Sequence, residues 1–160
     1  MAQRRVVVGL GSNVGDRHAW IERALGALAA DRALGLLRSS PRYETAPVGG
    51  PPQGDYVNAA ALLSTSLPAH DIIARLLTIE RALGRERSVP NAPRTLDLDV
   101  LWSEGESFET SDLVVPHPRL AERAFALRPL LDLAPDACDP AGTPYAGLPA
   151  AHEPLRRSAP

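Results

Sequence analysis

The order strand, helix, strand, strand, helix, strand predicts an α+β fold, a ferredoxin-like α/β sandwich whose mainly antiparallel sheet is covered by helices. Two observations carry it: apolar residues whose spacing switches between strand and helix periods, and the Gly, Pro and capping residues that separate the runs. Size is the third. A chain of 160 residues with 44% apolar and 22% charged side chains suits one globular domain, taken as residues 1–160.

Val6 to Leu10 is a short β-branched run ending in Gly9-Leu10-Gly11-Ser12-Asn13, which reads as a strand followed by a tight turn. Asp16 caps a helix whose apolar positions Trp20, Ile21, Ala24, Leu25 and Leu28 recur at helical spacing. Gly35 to Tyr43 is a second strand, broken by Pro41, which belongs at an edge or a bulge. Gly49 to Gly54 is a loop, and Tyr56 to Thr65 is a third strand. Ser66 is expected to cap a second helix with Pro68 in its first turn and Gly84 as its stop. A polar loop from Arg85 to Ala92 leads to a strand containing Asp97 and Asp99. Glu104-Gly105 turns toward a short strand near Phe108, Val114 to Pro118 is extended, and Arg123 to Leu133 is a helix broken near Pro129. Beyond Cys138 Pro and Gly dominate, and no element is assigned to the tail after about residue 140.

The bulk numbers exclude several classes. A net charge of −2 argues against nucleic-acid binding by bulk electrostatics. No run of about 18 apolar residues is present, so no membrane-spanning helix is expected. The single Cys138 cannot form an intrachain disulfide, and the N-terminus lacks the apolar core of a secretory signal. A cytoplasmic protein is the expectation.

Chemistry concentrates in Pro93-Arg94-Thr95-Leu96-Asp97-Leu98-Asp99. Residues i and i+2 of a strand point the same way, so Asp97 and Asp99 share one face and Leu96, Leu98 and Val100 the other. Two close carboxylates repel unless a cation lies between them, and hard oxygen ligands favour Mg²⁺. The alternative is a pair of acids on the wet face of an edge strand. Arg85, Arg87 and Arg94 gather just upstream, and the arginine fork suits phosphate oxygens. Together these features suggest metal-assisted phosphoryl transfer. No G-x-x-x-x-G-K-[ST] loop occurs, and Gly9-x-Gly11 continues as Ser-Asn-Val-Gly, which breaks dinucleotide-fingerprint spacing.

From about residue 7 to about residue 136 the chain resembles the 6-hydroxymethyl-7,8-dihydropterin pyrophosphokinases of folate biosynthesis. The matching segments are Gly9 to Asn13, Tyr43 to Gly49, Asp55 to Ala59, Pro93 to Asp99, and Val115-Pro116-His117 followed by Arg123 and Phe125. The resemblance implies transfer of the β,γ-diphosphate of ATP to the pterin hydroxymethyl group, with release of AMP. It implies that Asp97 and Asp99 hold two Mg²⁺ ions, and that Arg85 and Arg94 act on the phosphates with Arg87 as a further contact. His117, Arg123 and Glu80 would line the nucleotide site. Tyr56 and Phe125 would sandwich the pterin, Asn58 would read its amide and amino edge, and Thr45 and Val48 would add hydrogen bonds. Ordinary core packing is the other fate open to Tyr56 and Phe125. The expected partners are therefore these small molecules, bound by a monomer, with no nucleic acid or membrane.

Three positions depart from the family pattern: Asn91, Leu77 and Pro118. All are expected on the nucleotide side. The Arg85 to Ala92 loop is expected to order when ATP binds. A non-catalytic pterin- or nucleotide-binding module, and a transferase using its Asp-x-Asp on a nucleotide sugar, are the competing readings.

Overall fold

The computed structural model describes residues 2–47, 49–84, 95–111 and 113–159. Its sheet is built from β1 (Arg4–Ser12), β2 (Leu36–Ser39), β3 (Tyr43–Thr45), β4 (Tyr56–Thr65), β5 (Asp97–Ser103) and β8 (Arg156–Arg157). The order is β5-β1-β4-β3-β8, with β2 also on β4, and every pairing is antiparallel. If β2 and β3 are counted as one interrupted strand, this is the expected ferredoxin-like order. A separate ribbon pairs β6 (Phe108–Glu109) with β7 (Val114–Val115).

The helices α1 (Arg17–Ala30) and α2 (Ala69–Ala82) cover one face of the sheet, and α3 (Ala124–Leu133) covers the other. The alternation of β1 decides which residue goes where. Val6, Val8 and Leu10 pack with Ile21, Leu28, Ile72 and Leu76, whereas Val7 packs with Leu127 and Leu130 of α3. The pairing of β1 with β5 slips between Val7 and Val8, so Leu101 and Trp102 both join the α3 cluster.

Local signals behave mostly as expected. The Asp16 side chain accepts from the Ala19 N–H at 3.1 Å and caps α1. The second strand breaks at Ser40-Pro41-Arg42, and both pieces remain on β4. Gly84, with φ +87°, follows the end of α2.

Four expectations are corrected. Gly9 and Gly11 lie inside β1 rather than in a turn, and the turn comes at Gly15, with φ +69°. Ser66 does not cap α2. The cap residue is Pro68 itself, while Thr65 Oγ1 accepts the Leu67 N–H at 3.1 Å. α3 runs unbroken through Pro129, because only one backbone N–H is lost there and Pro129, Leu130 and Leu133 are buried against the sheet. The tail is ordered: Tyr145, Ala150 and Ala151 are buried beside α3, and β8 pairs with β3.

Candidate active site

The site lies where α3 stops covering its face of the sheet. On that face β1 presents Val7, then Gly9 and Gly11, which bring no side chains of their own, so Leu101 leans over Gly9, and Asn58 and Tyr56 over Gly11. In register with this glycine stripe stand Asp99 and Asp97 on β5 to one side, Ala60 and Asn58 on β4 to the other. A cleft of about 190 Å³ opens above it, and Asp97, Asp99, Tyr56, Asn58, Arg123 and Phe125 are among its lining residues. Glycine in a strand interior costs about 0.5–1 kcal/mol relative to alanine. The gain here is space: a Cβ on Gly11 would stand 3.2 Å from Asn58 Oδ1 and 3.4 Å from the Tyr56 ring.

The β4 side is tightly held. Asn58 Nδ2 donates to Thr45 Oγ1 at 2.6 Å, joining adjacent strands across the cleft wall. The Tyr43 hydroxyl donates to Asp132 of α3 at 2.5 Å, which ties β3 to the helix that carries Phe125. Burial first, then this bond and the neighbouring Asp132 charge, push the Tyr43 phenol up. Tyr56 and Phe125 are both half-buried and both line the cleft.

The β5 side is more open, because β5 is an edge strand. Asp97 is half-buried and Asp99 exposed, while Leu96, Leu98 and Val100 are buried on the opposite face, as the alternation predicts. Among the described residues no group of three His, Cys, Asp or Glu could hold a metal. The carboxylate oxygens of Asp97 and Asp99 are hard donors of the kind that fits Mg²⁺.

Arg123 reaches the cleft from the N-terminal end of α3, its guanidinium 5.6 Å from the Phe125 ring centroid. Its Nε is buried with no hydrogen-bond partner among the described residues. Burial, and secondarily Arg119, lower its pKa, against the pull of Asp99 and Asp97. An anion in the cleft would relieve both costs. His117 is lowered by burial and then by Arg123. Its Nδ1 accepts from the Arg119 N–H at 3.3 Å, and its own N–H bonds the Leu101 carbonyl at 3.0 Å.

A larger depression of about 1010 Å³ lies between α2 and the outer side of β5, and Asp99 lines both hollows. His117 lines it too, together with two positions that depart from the family pattern, Leu77 and Pro118. Glu80, expected at the nucleotide site, is among the lining residues of neither hollow. It is 2% exposed and lies beneath the strand, where its Oε2 accepts the Leu98 N–H at 2.7 Å. Val48, Arg85, Arg87, Asn91, Arg94 and the Arg85 to Ala92 loop lie outside the described residues.

Two polar lining residues were missed in the sequence. Gln53 is held at the rim, where its Oε1 accepts from Asn13 Nδ2 at 2.7 Å. Arg119 lines the cleft beside Arg123 and pairs with Glu122 at 3.3 Å. Gln53 gave no signal within a Gly- and Pro-rich loop, whereas Arg119 stood two residues from His117 and was legible in principle.

Comparison with known proteins agrees with this geometry. A Bacillus subtilis 2-amino-4-hydroxy-6-hydroxymethyldihydropteridine pyrophosphokinase is 41% identical over 126 residues, covering 79% of this chain and 75% of its own. The Methylorubrum extorquens protein of the same name is 42% identical over 132 residues, covering 82% and 84%. A mitochondrial folate synthesis bifunctional protein of Arabidopsis thaliana is 40% identical over 137 residues, but only 24% of its length is matched. Among solved structures, an HPPK-DHPS chain crystallised with substrates superposes with a TM-score of 0.71 at 12% identity, and this chain spans 43% of it. The sequence profile of one family matches residues 7–135: the chain belongs to the 7,8-dihydro-6-hydroxymethylpterin pyrophosphokinase (HPPK) family.

Proposed function

We infer that the chain transfers the β,γ-diphosphate of ATP to the hydroxymethyl group of 6-hydroxymethyl-7,8-dihydropterin, giving AMP and the pterin diphosphate in folate biosynthesis. The observation that carries this reading beyond family membership is the division of one cleft. Gly9 and Gly11 of β1 stand between Asp97 and Asp99 on β5 and Asn58 on β4, and Tyr56 and Phe125 line the same cleft.

The pterin takes the β4 half. Tyr56 and Phe125 stack on its two faces, and Asn58, oriented by Thr45, meets the ring's amide and amino edge. Val48 adds a further contact in this assignment. The triphosphate takes the β5 half, beside the Arg123 guanidinium and His117, whose pKa burial lowers. Arg85, Arg87 and Arg94 complete the phosphate contacts, with Arg85 and Arg94 acting directly on the transferred group. Glu80 contributes by fixing the backbone between the two acids.

Asp97 and Asp99 would hold Mg²⁺, and we assign two ions, which supply charge neutralisation along the triphosphate when bound. The hydroxymethyl oxygen forms a bond to the β-phosphorus while the bond from that phosphorus to the α,β-bridging oxygen breaks. AMP leaves and the hydroxyl proton is released. The chain's own part is alignment: the rings fix the pterin plane beside the glycine pair of β1.

We also propose that residues 1–160 act as a single domain and as a monomer, since both core clusters and the C-terminal strand share one sheet. A cytoplasmic setting is supported by the free Cys138 and the use of ATP. The test is incubation with ATP, Mg²⁺ and the hydroxymethyl pterin, with chromatographic separation of the nucleotides. Pterin-dependent AMP is expected. ADP would mean single-phosphoryl transfer, and binding without product would leave a non-catalytic module.

A further inference from the structure

Ala46, Pro47 and Gln53, from the connection between β3 and β4, form a wall of the cleft on the side assigned to the pterin. Both roots of this wall meet one side chain. Arg17, at the start of α1, donates through Nη1 to Glu44 Oε1 at 2.8 Å and to the Asp55 carbonyl at 3.1 Å. Glu44 lies on β3 just before the wall, and Asp55 immediately precedes β4. The other carboxylate oxygen of Glu44 meets Arg156 of β8 at 3.2 Å. Residues Arg156 and Arg157 lie beyond the 7–135 region that matches the family, yet they pair with Glu44 and Tyr43.

We propose that Arg17, Glu44 and Arg156 form a positioning bridge that fixes the wall of the pterin half and so sets pterin affinity, with the C-terminal strand as its third member. The proposal rests on assigning that half of the cleft to the pterin. Glu44 and Thr45 are neighbours on β3, so a shift that frees Glu44 also moves the hydroxyl that orients Asn58. Arg17 and Glu44 are 29% and 21% exposed. Partly exposed ion pairs add little to global stability, so the consequence should be local. Arg17, as the largest influence, holds the Glu44 carboxyl below its ordinary range, so the bridge is formed at neutral pH.

The full chain carrying Arg17→Ala, Glu44→Gln or Arg156→Ala is assayed by AMP release, with KM for pterin and for ATP, kcat and Tm measured for each. The pterin KM should rise about tenfold, about fivefold and about twofold respectively, with kcat and the ATP KM within about twofold of wild type. The Arg17→Ala, Glu44→Gln double variant should be no worse than Arg17→Ala, because the two residues act as a unit. An unchanged pterin KM in Arg17→Ala and Glu44→Gln overturns the proposal, as does a parallel loss for both substrates with a fall in Tm. Asn58→Ala separates the two levels. If it weakens pterin while Arg17→Ala does not, only the bridge fails; if neither does, the assignment of the pterin half fails first.

Discussion

The two sides of the cleft differ in the contacts seen among the described residues. On the β4 side protein groups hold one another: Asn58 to Thr45, Tyr43 to Asp132, Asn13 to Gln53, and Arg17 to Glu44 and Asp55. On the β5 side the acids stand on an edge strand, and the Arg123 Nε is buried without a partner among the described residues. A neutral, flat ring gains most from a surface that is already in place, since preorganisation avoids the cost of ordering side chains on binding. A polyanion with its cations brings enough charge to order its own surroundings. The contrast implies that pterin recognition and phosphate chemistry can be damaged independently.

The largest effect should come from the β5 side. Asp97→Ala or Asp99→Ala is expected to lower kcat at least about 10³-fold while pterin binding survives, because the transition-state charge loses its counterion seat. Equal loss of pterin binding would mean the halves are not separable. Next come the rings. Stacking on one aromatic face is worth about 1–3 kcal/mol, so Tyr56→Ala or Phe125→Ala should weaken pterin about tenfold to hundredfold and leave ATP binding alone.

Gly11→Ala sharpens the contrast further, since the added Cβ would stand 3.2 Å from Asn58 Oδ1. The pterin KM should rise about threefold to tenfold while Tm changes little, because alanine is the better strand residue by about 0.5–1 kcal/mol and offsets part of the crowding. The smallest effect is in pH dependence. The folded pKa of Glu44 lies below its ordinary value of 4.5, chiefly through the Arg17 bond. Its contribution to stability is thus present above pH 4.5 and lost as pH falls through the lower folded value. The Tm difference between wild type and Glu44→Gln, small at neutral pH because the pair is solvent-screened, should vanish on acidification below that range.

Much of this arrangement was legible beforehand, and for local reasons. β4 was read with its observed limits, Tyr56 to Thr65, because its extended apolar run ends at turn residues on both sides. The Asp97 and Asp99 face followed from the two-residue period alone. What escaped depended on partners distant in sequence. β8 exists because Arg156 and Arg157 find Glu44 and Tyr43, more than a hundred residues earlier, and two residues carry no period of their own. α3 survives Pro129 because packing on the sheet outweighs one lost hydrogen bond. Gly9 and Gly11 suggested a turn, yet they mark a strand that lines the cleft, which shows only once β4 and β5 flank it. The burial of Glu80 against Leu98 needed the packed strand to become visible.

The most direct test is to titrate hydroxymethyl pterin, and separately an ATP analogue with Mg²⁺, into wild type, Asp99→Ala and Tyr56→Ala. A crossed result is expected: Asp99→Ala loses the nucleotide with its metal and keeps the pterin, while Tyr56→Ala does the reverse. Both variants losing both ligands, or either variant losing the ligand assigned to the other half, would contradict a cleft divided along the glycine pair of β1.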